Sequence, residues 1–196
     1  MKLHIGCGNK LFEGYENVDK TKPSNEFPEE TLEKLFSKWD IEDTPWILHR
    51  IRIANSSIDA ILAVHVMEHI SKNYFEIWQE IYRICKPDAI VDITVPHFNH
   101  DNFHNDPTHK MEITPSGLEM FSKKFNQRCI KEGYSNSTFG LDYNFDFEIV
   151  EKEEILDPFW KARKSFQNIQ DPEMEMIKRS YNNVISEYRI KLKVIK

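Results

Sequence analysis

The 196-residue sequence predicts an α/β layered fold, with a mostly parallel sheet that closes on a C-terminal antiparallel pair of strands. Three observations carry this prediction. Ile58 to Val66 (IDAILAVHV) is an almost unbroken apolar run, the signature of a strand buried on both faces of a parallel sheet. Stretches of helical periodicity lie between the strand-like stretches. Near the C-terminus, Tyr188, Ile190, Leu192 and Val194 alternate strictly with Arg189, Lys191 and Lys193.

In chain order, Lys2 to Gly6 reads as a short strand that stops at glycine, and Tyr15 to Asp19 as a second one ending on an acid. Leu32, Leu35, Phe36 and Trp39 recur at helical spacing and predict a helix from Glu29 to Trp39. After the Ile58 strand, Ser71 is the expected N-cap of a helix carrying Tyr74, Trp78, Ile81 and Cys85. Lys86-Pro87-Asp88 breaks it, and Ile90 to Val95 is the next strand, closed by Pro96. His97 to Thr114 has no periodicity and reads as a long functional loop. Ser116-x-x-Glu119 has the form of a capping box that opens a short helix. Phe145 to Val150 and Tyr188 to Val194 form the expected edge pair. A helical insert at about 158–183, clearest from Asp171 to Asn183, separates them. Phe159, Trp160 and Arg163 of the insert are candidates for a pocket wall or a homodimer contact.

Composition narrows the function. With 26 Lys+Arg against 32 Asp+Glu the net charge is −6, which gives no general attraction to phosphate backbones or anionic lipid. DNA and membrane partners are therefore not expected. The three cysteines, Cys7, Cys85 and Cys129, are odd in number and form no CxxC pair. That fits a reducing, cytoplasmic setting better than a disulfide scaffold. No apolar run approaches the length of a membrane span.

Gly6-Cys7-Gly8 directly after a strand puts small residues where backbone must approach a ligand. A dinucleotide site would want a further glycine where Leu11 stands, and a P-loop would want Gly-Lys-Ser/Thr. The loop is thus not read as a phosphate cradle. Five stretches in order then carry a family likeness: LHIGCGNKLFEGYENVD, WDIEDTPW, SIDAILAVHVMEHI, EIYRICKPDAIVDITVPHF and NDPTH. Together they resemble the class I S-adenosylmethionine-dependent methyltransferases, closest to the small type 11-like group, as far as about Phe121. The resemblance implies one Rossmann-like domain over 1–196, with S-adenosyl-L-methionine as cofactor and S-adenosyl-L-homocysteine as product. It places the Gly6-Cys7-Gly8 loop against the methionine moiety and Asp19 on the ribose hydroxyls. Asp40 and Ile41 would flank the adenine, and His65 and Val66 would line the methyl-transfer side. Two departures stand out. Asn9 to Glu16 is too short for a full first helix, and Lys86-Pro87-Asp88-Ala89 replaces the usual Lys-Pro-Gly-Gly.

His97, His100, His104 and His109 crowd the long loop, but their spacing matches no helical metal pair, so no metal is expected. The matching segments VPH and DPTH single out His109 first, and His97 second, as catalytic residues able to remove an acceptor proton. Glu68-His69 is read as a buried, hydrogen-bonded structural pair. The strand exit His65-Val66-Met67-Glu68 lacks the Asn/Asp-Pro-Pro-aromatic motif of enzymes that methylate DNA base amines. The expected reaction is methyl transfer to an oxygen or nitrogen of a small molecule or glycan. A catalytically silent cofactor-binding module and a histidine-cluster hydrolase are the rival readings.

Overall fold

The computed structural model describes residues 1–24, 27–42, 47–48, 51–70 and 72–196. Its strands are β1 (Lys2–Ile5), β2 (Glu16–Asp19), β3 (Phe36–Lys38), β4 (Ile47–Leu48), β5 (Ile51–Arg52), β6 (Ile58–Val64), β7 (Cys85–Pro96), β8 (Phe147–Leu156) and β9 (Ile185–Val194). The helices are α1 (Glu29–Leu35), α2 (Tyr74–Ile84), α3 (Asp101–His104), α4 (Pro115–Glu119), α5 (Lys123–Glu132), α6 (Phe139–Asp142), α7 (Pro158–Gln167) and α8 (Asp171–Ser180). Seven strands form one sheet in the order β3-β2-β1-β6-β7-β9-β8, and β4 pairs with β5 apart from it. From β3 to β7 the pairing is parallel, while β9 runs antiparallel to both β7 and β8. The predicted sheet, with its antiparallel C-terminal pair, is the observed one.

Apolar burial explains why the central strands read so clearly. Leu3, Ile5, Ile61, Val91, Ile93, Ile190 and Leu192 are almost or wholly removed from water. On α2, Ile77, Trp78, Ile81 and Ile84 face the sheet, and Trp78 meets Phe121 and Phe147 edge-on at 5.1 and 5.3 Å. The expected insert is a pair of helices, α7 and α8, over a small satellite core of Ile169, Met174, Val184 and Ile185. Among the described residues, no helix is long and apolar enough to cross a membrane.

Several boundaries differ from the sequence reading. The helix predicted to Trp39 ends at Leu35, because Phe36–Lys38 finds strand partners on β2, with Asn17 opposite Phe36. Cys85 begins β7 instead of ending α2. The Lys86-Pro87-Asp88 break becomes an irregularity within β7, where pairing shifts between Ile58 and Ala60 and Asp88 takes φ +61°. Thr114, not Ser116, caps α4: its hydroxyl accepts from the Gly117 N–H at 3.0 Å, and Pro115 opens the helix. Ser71, the expected cap of α2, lies outside the described residues, as does the 43–46 end of WDIEDTPW. Helix α3 sits within the stretch read as a non-periodic loop, started by the His100 ring, which accepts from the Asn102 N–H.

Candidate active site

The site begins where β1 ends. Gly6 has φ +62°, and a Cβ placed there would lie 2.0 Å from Cγ2 of Val66. Only glycine satisfies both demands. The loop then folds back on β2: the Cys7 N–H donates to Val18 O, and Cys7 O accepts from Lys10. With both backbone groups engaged and its thiol buried, Cys7 shapes the loop without lining the cavity beyond it. Burial, with the Asp19 charge adding to it, pushes the Cys7 thiol up to about 12.

Asp19 closes β2. Its carboxylate accepts from the Gly8 N–H and the Thr21 N–H, each at 2.9 Å. A carboxylate has roughly four acceptor positions, so two backbone bonds fix its orientation and leave capacity for a ligand. The Trp39 N–H donates to Asp19 O at 2.8 Å, which brings the segment after β3 alongside. There Asp40 accepts from the Glu42 N–H at 3.0 Å.

These residues surround one cavity of about 450 Å³ at the C-terminal ends of the parallel strands. Gly6, Gly8, Asp19, Asp40, Ile41, His65 and Val66 all line it, so seven of the eight expected cofactor positions converge. On the far wall stand His69, Ile70 and Thr108. His65 leaves β6 with φ +54°, an uncommon conformation for a non-glycine residue, and its N–H donates to Thr94 O. Its ring lies 3.4 Å from both Glu68 Oε1 and Glu187 Oε2. Glu68 above all, with Glu187 assisting, raises the imidazole pKa against the opposing effect of burial.

His97 and His109 do not line the cavity. His97 stacks on Phe98 and packs on Tyr188, its Nδ1 accepts from the Asn99 N–H, and burial lowers its pKa. His109 stands behind His69, with ring centroids 4.6 Å apart, and its Nδ1 donates to Phe103 O at 2.8 Å. His100 lies 3.3 Å from Asp157, and His104 is exposed. The Glu68-His69 pair does not satisfy itself either: His69 bonds Thr108 Oγ1 at 2.9 Å, and Glu68 is fully buried with no hydrogen bond to its carboxylate among the described residues. The sequence reading missed His69 and Thr108 as cavity residues, although the NDPTH segment contained the signal for Thr108.

A family model described as a methyltransferase domain matches residues 3–93, the stretch that supplies β1, β2 and the β6 exit. The match agrees with the resemblance to the class I S-adenosylmethionine-dependent methyltransferases that the sequence motifs carry. Among solved structures, the chain is similar to a SAM-dependent methyltransferase from Archaeoglobus fulgidus, at 19% identity and TM-score 0.58, over 98% of this chain and 85% of that one. It is also similar to the YcgJ protein of Bacillus subtilis, at 14% identity and TM-score 0.55, over 100% and 91% of the two chains. The [4+2]-cyclase SpnF shares the fold as well, at 13% identity and TM-score 0.54, over 99% and 74%. At such identities the likeness is one of architecture, and architecture does not fix the reaction. A comparison with the curated proteins finds no match. The cavity fits S-adenosylmethionine, the cofactor that the family resemblance implies, in three respects. Its volume falls in the usual range for small-molecule sites. The Gly6 backbone faces it without a side chain, and Asp19 offers oriented acceptors.

Proposed function

We propose that the protein is an S-adenosylmethionine-dependent methyltransferase that acts on an oxygen or nitrogen of a small molecule or glycan, held between the Gly6–Asp19 floor and the His65–His69–Thr108 wall. The observation that carries this reading is the convergence of Gly6, Gly8, Asp19, Asp40, Ile41, His65 and Val66 on one cavity. In it, Asp19 takes the ribose hydroxyls, and Asp40 and Ile41 flank the adenine. The Gly6-Cys7-Gly8 loop carries the methionine moiety, with Cys7 acting through the loop's shape. When bound, the cofactor supplies an electrophilic methyl on a sulfonium cation, which the acidic lining of Asp19, Asp40 and Glu42 favours.

The chain's own contribution is alignment. A nucleophile fixed at near-attack distance in a site shielded from water needs little further help. We assign acceptor orientation to His65, His69 and Thr108, which face the cavity. His109 becomes a positioning residue behind His69, and His97 a residue of the turn after β7. We place the reaction in the cytosol, a reading supported by three buried free thiols, with the exposed Phe159 and Phe166 of α7 as the surface for a homodimer.

Calorimetry with S-adenosylmethionine and S-adenosylhomocysteine tests the cofactor site, with binding expected in the micromolar range, about −8 kcal/mol. Absence of heat and of any thermal shift with both ligands, in folded protein, overturns the reading. Transfer of a labelled methyl group to panels of small molecules, glycans and nucleic acids tests the acceptor. Label entering nucleic acid alone overturns that part.

A further inference from the structure

The carboxylate of Glu68 is an anomaly. The residue is 0% exposed, yet among the described residues neither carboxylate oxygen has a hydrogen-bond partner. A carboxylate withdrawn from water needs a cation or several donors. Its near neighbours are ring nitrogens, His65 Nδ1 at 3.4 Å and His109 Nε2 at 3.9 Å.

The hydrogen bonds fix what those rings present. His109 Nδ1 faces the Phe103 carbonyl at 2.8 Å, and a carbonyl only accepts, so Nδ1 holds the proton. In the neutral ring Nε2 then carries a lone pair, 3.9 Å from Glu68 Oε1 and 3.8 Å from Asp106 Oδ2. Those separations are too long for a shared proton. They suit a metal ion, since ligand atoms each about 2.0–2.2 Å from one ion stand roughly 3–4 Å apart. His69 is held in a similar way. The Thr108 hydroxyl donates to Asp106 Oδ1 at 2.6 Å and so accepts from His69 Nδ1 at 2.9 Å. Each imidazole is thus oriented through one nitrogen while the other stays available, the usual arrangement behind metal-bound histidines. One donor atom from each of Glu68, His69 and His109 lies within 4.8 Å of the other two.

We propose that Glu68, His69 and His109 bind a divalent first-row transition-metal ion at the wall of the cavity. Two imidazoles and one carboxylate are a donor set for zinc or iron(II) that leaves positions open. Because His69 and Thr108 line the cavity, those positions open toward it. That they receive an oxygen of the acceptor rests on the methyl-transfer reading; metal binding itself does not. The spacing of histidines within 97–109 gave no hint of the set, because two of its three donors come from the turn Met67–His69.

The test uses tag-free full-length protein, stripped with a chelator and titrated with Zn²⁺ by calorimetry, and with Co²⁺ by visible absorption. One site with a dissociation constant of about 10 μM or tighter is expected. Glu68→Gln, His69→Gln and His109→Gln should each weaken it at least about tenfold. His104→Ala, which alters an exposed histidine of the same loop, should leave it unchanged. S-adenosylhomocysteine binding is measured on every variant as a check on the fold. Wild-type protein that binds S-adenosylhomocysteine but no metal overturns the inference and leaves the methyltransferase reading standing. Equal weakening by His104→Ala and the three site variants also overturns it, as surface binding. If one site variant fails to fold, the other two decide. One-site metal binding with the expected variant pattern, in protein that binds no S-adenosylhomocysteine, supports the metal site and counts against the cofactor reading.

Discussion

Gly6 and Val66 are in contact across the strand exits of β1 and β6, so closely that a methyl group on Gly6 would lie 2.0 Å from Val66 Cγ2. The contact joins the loop assigned to the methionine moiety to the wall assigned to methyl transfer. Gly6→Ala must therefore push one away from the other while also holding alanine at φ +62°. Left-handed backbone costs about 1–2 kcal/mol and overpacking about 1–3 kcal/mol. We expect a loss of about 2–4 kcal/mol in urea unfolding and at least a tenfold loss of S-adenosylmethionine affinity. Gly8→Ala, where φ is +50° but no described residue lies within 4 Å of the added carbon, should lose less on both counts. Equal effects at the two positions would contradict the role given to the Val66 contact.

Asp19 supplies the second prediction. Its carboxylate holds Gly8 N–H and Thr21 N–H and keeps further acceptor capacity toward the cavity. Asp19→Ala should cost roughly 1.5–3 kcal/mol of cofactor affinity, through lost charge-assisted bonds. Asp19→Asn keeps an acceptor oxygen and should fall between. Calorimetry on the three proteins gives the order, and unchanged affinity in Asp19→Ala would place the ribose elsewhere.

What the sequence could disclose follows from the physics of burial. Strands β1, β6, β7 and β9 were legible because burial forces unbroken or alternating apolar sequence on them. The end of α1 was not, because Leu35 and Phe36 satisfy helical periodicity whether or not the backbone continues as helix. What stops it is a ladder to β2 that no local pattern encodes. The glycine loop and Asp19 were legible as an ordered motif. The Glu68–His109 relationship was not. It depends on the Lys110 and Met111 N–H groups donating to Glu68 O at 2.7 and 3.0 Å, contacts between segments some forty positions apart.

Thiol reactivity gives the third prediction. Burial above all pushes Cys7 and Cys85 up to about 12. A raised pKa removes thiolate, the reactive form, so at pH 7.5 only on the order of 1 in 10⁴–10⁵ of either thiol is ionised. Native protein treated with iodoacetamide at pH 7.5 should therefore leave both unlabelled for hours, whereas protein in urea labels readily. Peptide mass spectrometry reads the outcome. Rapid native labelling of Cys7 would show that the glycine loop opens far more often than its bonds to Val18 and Lys10 imply.

The last prediction concerns Asn17, whose place in the motif Gly-Tyr-x-Asn-x-Asp is explained by what it holds together. The side chain is 0% exposed and has five hydrogen bonds. Its carbonyl accepts from the Phe12 N–H at 2.9 Å and from His4 Nδ1 at 3.0 Å. Its amide donates to Phe12 O, Tyr15 O and Leu35 O at 3.0, 3.1 and 3.0 Å. One residue thus ties β1, the loop after the glycines, and the end of α1 in place of the missing first helix. Burial lowers the His4 pKa, which keeps that ring neutral, with its proton on the nitrogen that Asn17 accepts. In Asn17→Ala, two donors and three carbonyls lose this partner in a site with little access to water. Orphaned buried groups cost about 1–3 kcal/mol each before relaxation, so a total of roughly 3–5 kcal/mol is expected. At about 2–4 °C per kcal/mol for a chain of this size, Tm should fall by roughly 6–20 °C. Asn17→Asp keeps both acceptor bonds but loses the donors and buries a charge, so it should be comparably damaging. A change under about 1 kcal/mol in either variant would mean that the loop holds its shape through its own backbone, and the asparagine would need another explanation.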